Sequence, residues 1–288
     1  MSNWRARCRL LMRCAPVLVA FLIACSDPRL EMLVERAQEG DFMARGELMA
    51  MGDKTTLTGR PAYLVGLMYD PILWPDGDAK RAAQMYNAAR GSEPRAAHNL
   101  AVLVLTGKLL ETPESLGGEP LEAVVVSAAE RGVPEAMVLA GEFYTLGVRG
   151  FRQNSVLAVW WFERAVAANG DPWARYRLGE VYGNGAVRAP SVRASYDLLA
   201  SAAKAGVPEA ARLLATRTSD RMVRSRWVAV AARMSGVAPV QAINRAAIDA
   251  DLDEAERARL ARDVAMWIGV HKVAWSAPQY PIIHPVTP

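Results

Sequence analysis

Four times along this chain a pair of alanines is followed within three residues by glycine: Ala88-Ala89 with Gly91, Ala128-Ala129 with Gly132, Ala167-Ala168 with Gly170, and Ala202-Ala203 with Gly206. The glycines are 41, 38 and 36 residues apart, and an alanine follows each at Ala96, Ala136, Ala174 and Ala210. A self-similar period of this length marks a stack of two-helix units, none of which buries its apolar face alone. Sustained alternation of apolar and polar residues is absent, so strands are not expected.

The segment 158–185 shows the pattern most fully. Ala158, Trp160, Trp161, Ala165 and Ala168 recur three or four apart up to Gly170, the spacing of one helical face. Ala174, Leu178, Gly179 and Tyr182 then repeat that spacing and close on Gly183 and Gly185, since glycine takes the left-handed cap without steric penalty. Small residues at 165, 174 and 179 let two backbones cross closely, with Trp161 and Tyr182 beside the crossing. Gly179 costs about 1 kcal/mol of helix propensity relative to alanine, which implies a packing reason. The same inner helix recurs at 63–69 around Gly66 and at 139–144 around Gly141. Trp160 and Trp161 are expected in the core rather than stacked on a ligand.

These residues resemble the Sel1-like repeats, relatives of the tetratricopeptide repeats. Leu178-Gly179-x-x-Tyr182-x-x-Gly185 is similar to their first helix, and Ala158-x-Trp160-Trp161 with Ala165 and Gly170 to their second, with Trp161 in place of tyrosine. The resemblance covers roughly 62–214 and is poor around Ala101, where alanine stands in place of the glycine. It implies an all-α right-handed solenoid of stacked hairpins. In the related arrays the positions three before and one after the central glycine line a concave groove. Carried onto this chain, those are Tyr63, Leu67, His98, Val102, Val138, Glu142, Tyr176 and Glu180.

The first 24 residues read as a targeting segment. Arg5, Arg7, Arg9 and Arg13 precede an apolar run over 15–24, and no acid occurs before Asp27. That run is too short for a lasting membrane span, which takes about 20 apolar residues. Leu22-Ile23-Ala24-Cys25 resembles the bacterial lipobox, in which the peptidase cuts after a small residue and the cysteine thiol accepts lipid. The competing reading is a secreted chain cut near Ala24 with Cys25 left as a thiol. Ser26 after the cysteine favours the outer membrane by analogy with known sorting, facing the periplasm.

Removing this segment changes the charge. The whole chain has 34 basic and 30 acidic side chains; four arginines leave, so the mature chain is balanced. No clustered basic face argues for nucleic acid. Cys8 and Cys14 leave too, and with Cys25 lipidated no disulfide can form.

The organisation expected is a signal peptide over 1–24, N-terminal helices and a degenerate repeat over 25–59, a repeat array over 60–216, a helical C-terminal cap over 217–274 and an extended or disordered proline-rich tail over 275–288. The polar run 52–56 reads as a loop. Proline at Pro94, Pro134, Pro172 and Pro208 marks inner-helix starts, where its missing amide is harmless. Chemistry is sparse: His98, His271 and His284 lie in different segments with no second ligand at metal spacing. The Gly183-Asn184-Gly185 turn has no strand before it and no Lys-Ser/Thr after it, so it is no phosphate loop. No cofactor, metal or small-molecule substrate is expected. The reading is a membrane-tethered adaptor or regulator that binds another envelope protein or peptide and is not an enzyme. An immunity-type lipoprotein that inhibits a delivered toxin, such as a lipase, is the alternative, and an envelope hydrolase a weaker one.

Overall fold

The computed structural model describes residues 28–54, 56–185 and 192–271. Among them are fourteen α-helices and no strand. The targeting segment, Cys25 and the proline-rich tail lie outside the described residues. The helices fall into two compact units, and the chain passes from one to the other between Arg131 and Gly132, a boundary inside the expected array.

The first unit holds α1 (Pro28–Gln38), α2 (Phe42–Lys54), α3 (Gly59–Tyr69), α4 (Ala79–Ala89), α5 (Pro94–Leu105) and α6 (Leu121–Glu130). Each helix packs on the one before it. Contrary to the loop expected at 52–56, α2 continues through Lys54. Gly52 is accommodated there because it faces Val65 and Tyr69 of α3, where an added Cβ would lie 2.7 Å from a Val65 methyl.

The carbonyls at the end of α3 have no partner within the helix, and side chains supply them. Arg45 of α2, itself buried, donates through Nε and Nη2 to Met68 O and through Nη1 to both oxygens of Asp76. Its guanidinium also lies 4.3 Å from the Trp74 ring centroid, and the Trp74 indole donates to Leu67 O. Asp70, also buried, accepts from Ile72 N and from the Tyr86 phenol.

The second unit holds α7 (Pro134–Leu146), α8 (Ser155–Asn169), α9 (Pro172–Gly183), α10 (Val192–Lys204), α11 (Pro208–Thr216), α12 (Arg221–Met234), α13 (Pro239–Asp249) and α14 (Glu254–His271). Asn154 caps α8, Asp171 caps α9 and Asp220 caps α12, each accepting from backbone amides of the first turn. The later helices share one apolar core, in which Leu199, Leu214, Trp227, Val230 and Leu260 are buried together.

The repeat signal has a direct steric meaning. A Cβ on Gly66 would meet Tyr86 at 2.8 Å, on Gly141 Phe162 at 2.5 Å, and on Gly179 Leu199 at 2.9 Å. In each layer the glycine of an inner helix receives a large side chain of the helix that follows it. The tight hairpins are therefore α3 with α4, α7 with α8 and α9 with α10, whereas the sequence reading paired the helices of 158–170 and 174–183 across Gly170. The latter two, α8 and α9, touch as neighbouring layers.

Candidate functional site: an acid and aromatic cluster on α9

Six of the eight groove positions are closed to a partner. Tyr63, Leu67, His98, Val102 and Val138 have no exposed surface, and Glu142 is buried. The physical reason is the thickness of the layers. Helix α3 is buried on every side from Pro61 to Tyr69, and Tyr63 itself packs with its ring centroid 6.2 Å from that of Tyr86, under the Arg60 guanidinium. Arg60 in turn joins Glu31 of α1 to Glu93 before α5. Burial pushes the Tyr63 and Tyr86 phenols well above their ordinary range. These are core groups.

Tyr176 and Glu180 on α9 remain partly exposed, and around them stands a cluster that periodicity could not reveal. The Arg177 guanidinium lies between two carboxylates, with Nε 2.7 Å from Glu142 of α7 and Nη1 against Glu180. The Trp173 indole donates a 2.7 Å hydrogen bond to the same Glu142 oxygen. Trp173 and Tyr176 pack ring against ring, with centroids 4.7 Å apart.

Burial raises the Glu142 carboxyl, and Arg177 and Trp173 partly offset that. Burial also raises the Tyr176 phenol, as do Glu180 and Glu209, against the opposite pull of Arg177. Glu209 opens α11 and pairs with Arg212 at 2.9 Å. Three carboxylates thus stand around a pair of aromatic rings, with Arg177, Arg212 and Arg217 as counter-charges. Such a patch suits a cationic side chain that stacks on an aromatic face.

The far end of α9 is held shut. Arg217 donates to Gly179 O, Glu180 O, the Ser195 hydroxyl and the Asn184 side chain, and Ser195 adds a 2.6 Å bond to Gly179 O. Burial lowers the Arg217 guanidinium from its ordinary value. The 183–185 turn is occupied by this cap, since a Cβ on Gly183 would overlap the Arg217 guanidinium.

Trp160 departs from the core expectation. It is 43% exposed, whereas Trp161 is buried; the two rings meet edge to face at 4.4 Å, and Arg164 covers the outer one at 4.6 Å. The reason is the helical turn itself, because adjacent residues point about 100° apart and only one can enter the layer. Tyr182, expected beside the crossing, lies at its edge and donates to Glu163, and burial and that carboxylate push its phenol up to about 12. Among the described residues no group of three or more His, Cys, Asp or Glu could hold a metal ion, and no helix is long and apolar enough to cross a membrane.

No protein-family model matches the chain. Over 58 residues it is 41% identical to the ERAD-associated E3 ubiquitin-protein ligase component HRD3A of Arabidopsis thaliana, a match that spans 20% of this chain and only 8% of that protein. The crystal structure of a Sel1 repeat protein from Oxalobacter formigenes is similar with a TM-score of 0.58 at 20% identity, covering 82% of this chain and 99% of that one. A protective antigen of uropathogenic Escherichia coli strains displaying an SLR fold has a TM-score of 0.45 at 14% identity, covering 83% of this chain and 63% of that one. The chain has the Sel1-repeat fold, the all-α arrangement of stacked hairpins that its repeats imply.

Proposed function

We propose that this Sel1-repeat chain is a lipid-anchored adaptor of the bacterial envelope, which uses the α9 cluster to hold a segment of another envelope protein and performs no catalysis of its own. The observation that carries the reading is the contrast between inner helices. Helices α3 and α5 bury nearly all their side chains, whereas α9 leaves Tyr176, Arg177 and Glu180 partly open beside Trp173. Partly exposed aromatic rings with charged neighbours are the groups that dominate binding energy at protein interfaces. The partly exposed Tyr176 ring beside Glu180 favours a partner segment presenting lysine or arginine to stack on it.

The anchor part of the reading rests on Leu22-Ile23-Ala24-Cys25, and the outer membrane facing the periplasm is the location that Ser26 favours. Replacing Cys25 with serine should move the chain from the membrane fraction to the soluble periplasmic fraction; a variant that stays with the membrane would count against lipid attachment.

For the binding site, the double variant Tyr176→Ala with Glu180→Gln is compared with Trp160→Ala, a change at an exposed ring elsewhere. Partner recovery after cross-linking in the native envelope should fall for the double variant alone, and the remaining capture should weaken with added salt. Equal recovery from both variants would remove the α9 site.

A further inference from the structure

The outward side of the first hairpin carries a cluster of apolar side chains between two ion pairs. In α1 and α2, Arg29 pairs with Glu47, and near the turn Arg36 donates to Asp41 at 3.0 Å. One helical turn along α1 from Arg29 stands Met32, and one turn back along α2 from Glu47 stands Met43. They are 49% and 82% exposed, and Phe42 beside them is 74% exposed, while Leu33 and Ala44 of the same turns are buried. The hairpin thus turns two thioethers and a phenyl ring outward between the two ion pairs, with the exposed carboxylates of Glu35 and Glu39 along the turn end of α1. A terminal unit of a stacked array ordinarily closes with a polar outer face, and this one sets three large apolar side chains among its polar ones.

We propose that this face lies in the interfacial layer of the membrane, as a second contact beside the lipid anchor. The proposal rests on the anchor reading above. Two residues, Ser26 and Asp27, separate Cys25 from Pro28, and three steps of the chain place the start of α1 at most about 11 Å from the lipidated residue. The whole of α1 is only about 16 Å long at the helical rise per residue, so Met32, Phe42 and Met43 all stay within reach of the bilayer surface. Apolar side chains enter the boundary between headgroups and acyl chains to about 5–10 Å, a depth that Met43 and Phe42 reach while the flanking ion pairs remain among the headgroups. Two contacts, one covalent and one apolar, hold the first hairpin in a set orientation where a tether alone would leave it free to swivel.

The test uses the full-length lipidated chain reconstituted in vesicles of phosphatidylethanolamine and phosphatidylglycerol. Once Cys8 and Cys14 have left with the signal and Cys25 is a thioether, an introduced cysteine is the sole free thiol. An environment-sensitive fluorophore is placed at Met43→Cys, at Met32→Cys, and at Leu110→Cys, an exposed position in the loop after α5. The first two labels should shift to the blue and lose emission to spin-labelled lipid, and the Leu110 label should do neither. A chain that floats with the vesicles while the labels at 32 and 43 remain unquenched would overturn the second contact and leave the anchor standing. A wild-type chain that does not float would overturn both. A blue shift that persists in detergent and grows with protein concentration would assign the face to a second copy of the chain, and would also overturn the proposal.

Discussion

The phenol of Tyr86 donates a 2.7 Å hydrogen bond to Asp70, a carboxylate with no exposed surface at the end of α3. Burial raises the Asp70 carboxyl, against the pull of this bond and of the backbone amides that it accepts from. The bond also fixes the ring that fills the space over Gly66. Tyr86→Phe keeps the ring and removes the donor, leaving a buried acceptor short of a partner. A loss of about 1–3 kcal/mol is expected in urea unfolding, whereas Tyr182→Phe, whose hydroxyl meets an exposed Glu163, should change little.

Asp70 also sets a pH dependence. Its folded value lies above its ordinary one, so between the two the native state binds more protons than the unfolded chain, and stability falls as pH rises through that window. Asp70→Asn removes the titration. The stability of the wild type relative to this variant should therefore decline from the ordinary aspartate range upward to the raised folded value and then level off. A flat difference across that range in thermal unfolding would show that Asp70 titrates as it does in water.

The three inner-helix glycines should differ in their response to alanine. At Gly141 the new methyl group runs into the Phe162 ring at 2.5 Å, and at Gly66 it meets a Tyr86 ring held by Asp70. Each should lose about 1–3 kcal/mol to overpacking, more than the roughly 1 kcal/mol that alanine returns in helix propensity. At Gly179 the nearest atoms are Leu199 Cγ at 2.9 Å and the Ser195 carbonyl oxygen at 3.1 Å, contacts less severe than the 2.5 Å at Gly141, so Gly179→Ala should cost less than Gly141→Ala. Denaturation midpoints of the three variants decide the order.

Removing Arg177 tests the candidate site as an electrostatic unit. Arg177→Met strands Glu142 beside Trp173 and leaves Glu180 without its counter-charge. Breaking a buried pair in this way costs about 3–5 kcal/mol, and the partial exposure of Glu180 places the expectation at the low end. Loss of the cation raises the Glu142 carboxyl further, so the penalty should shrink as pH falls and that group takes up a proton. Glu142→Gln combined with Arg177→Met should recover part of the lost stability.

Helix positions were legible because their ends are marked chemically. Pro94, Pro134, Pro172 and Pro208 each open a helix, and Gly147 and Gly170 close two in the left-handed conformation. The glycines at 66, 141 and 179 announced close crossings because nothing else justifies their propensity cost. Exposure was not legible in the same way. Register places Tyr63 and Tyr176 at equivalent points of their repeats, but whether either meets solvent depends on what the next layer lays over it, and Tyr86 and Arg60 close over Tyr63. Arg177, Arg45 and Arg217 left no periodic trace at all, since a single charged residue that satisfies carbonyls or carboxylates of another helix has no counterpart one repeat away. The start of the run, 52–54, was misread because its polarity suggested a loop, while the fit of Gly52 under Val65 needs a helix there.

The glycine and the side chain that covers it are about twenty residues apart in each of these three hairpins, at 66 and 86, 141 and 162, and 179 and 199. Closing a loop of that length takes far less entropy than bringing distant strands together, and chains dominated by such short-range contacts fold fast. Each hairpin can therefore find its pairing as soon as its second helix emerges, and needs only a neighbouring hairpin to cover its remaining apolar face. A chain assembled that way gives proteases and aggregation little time to act before it is compact.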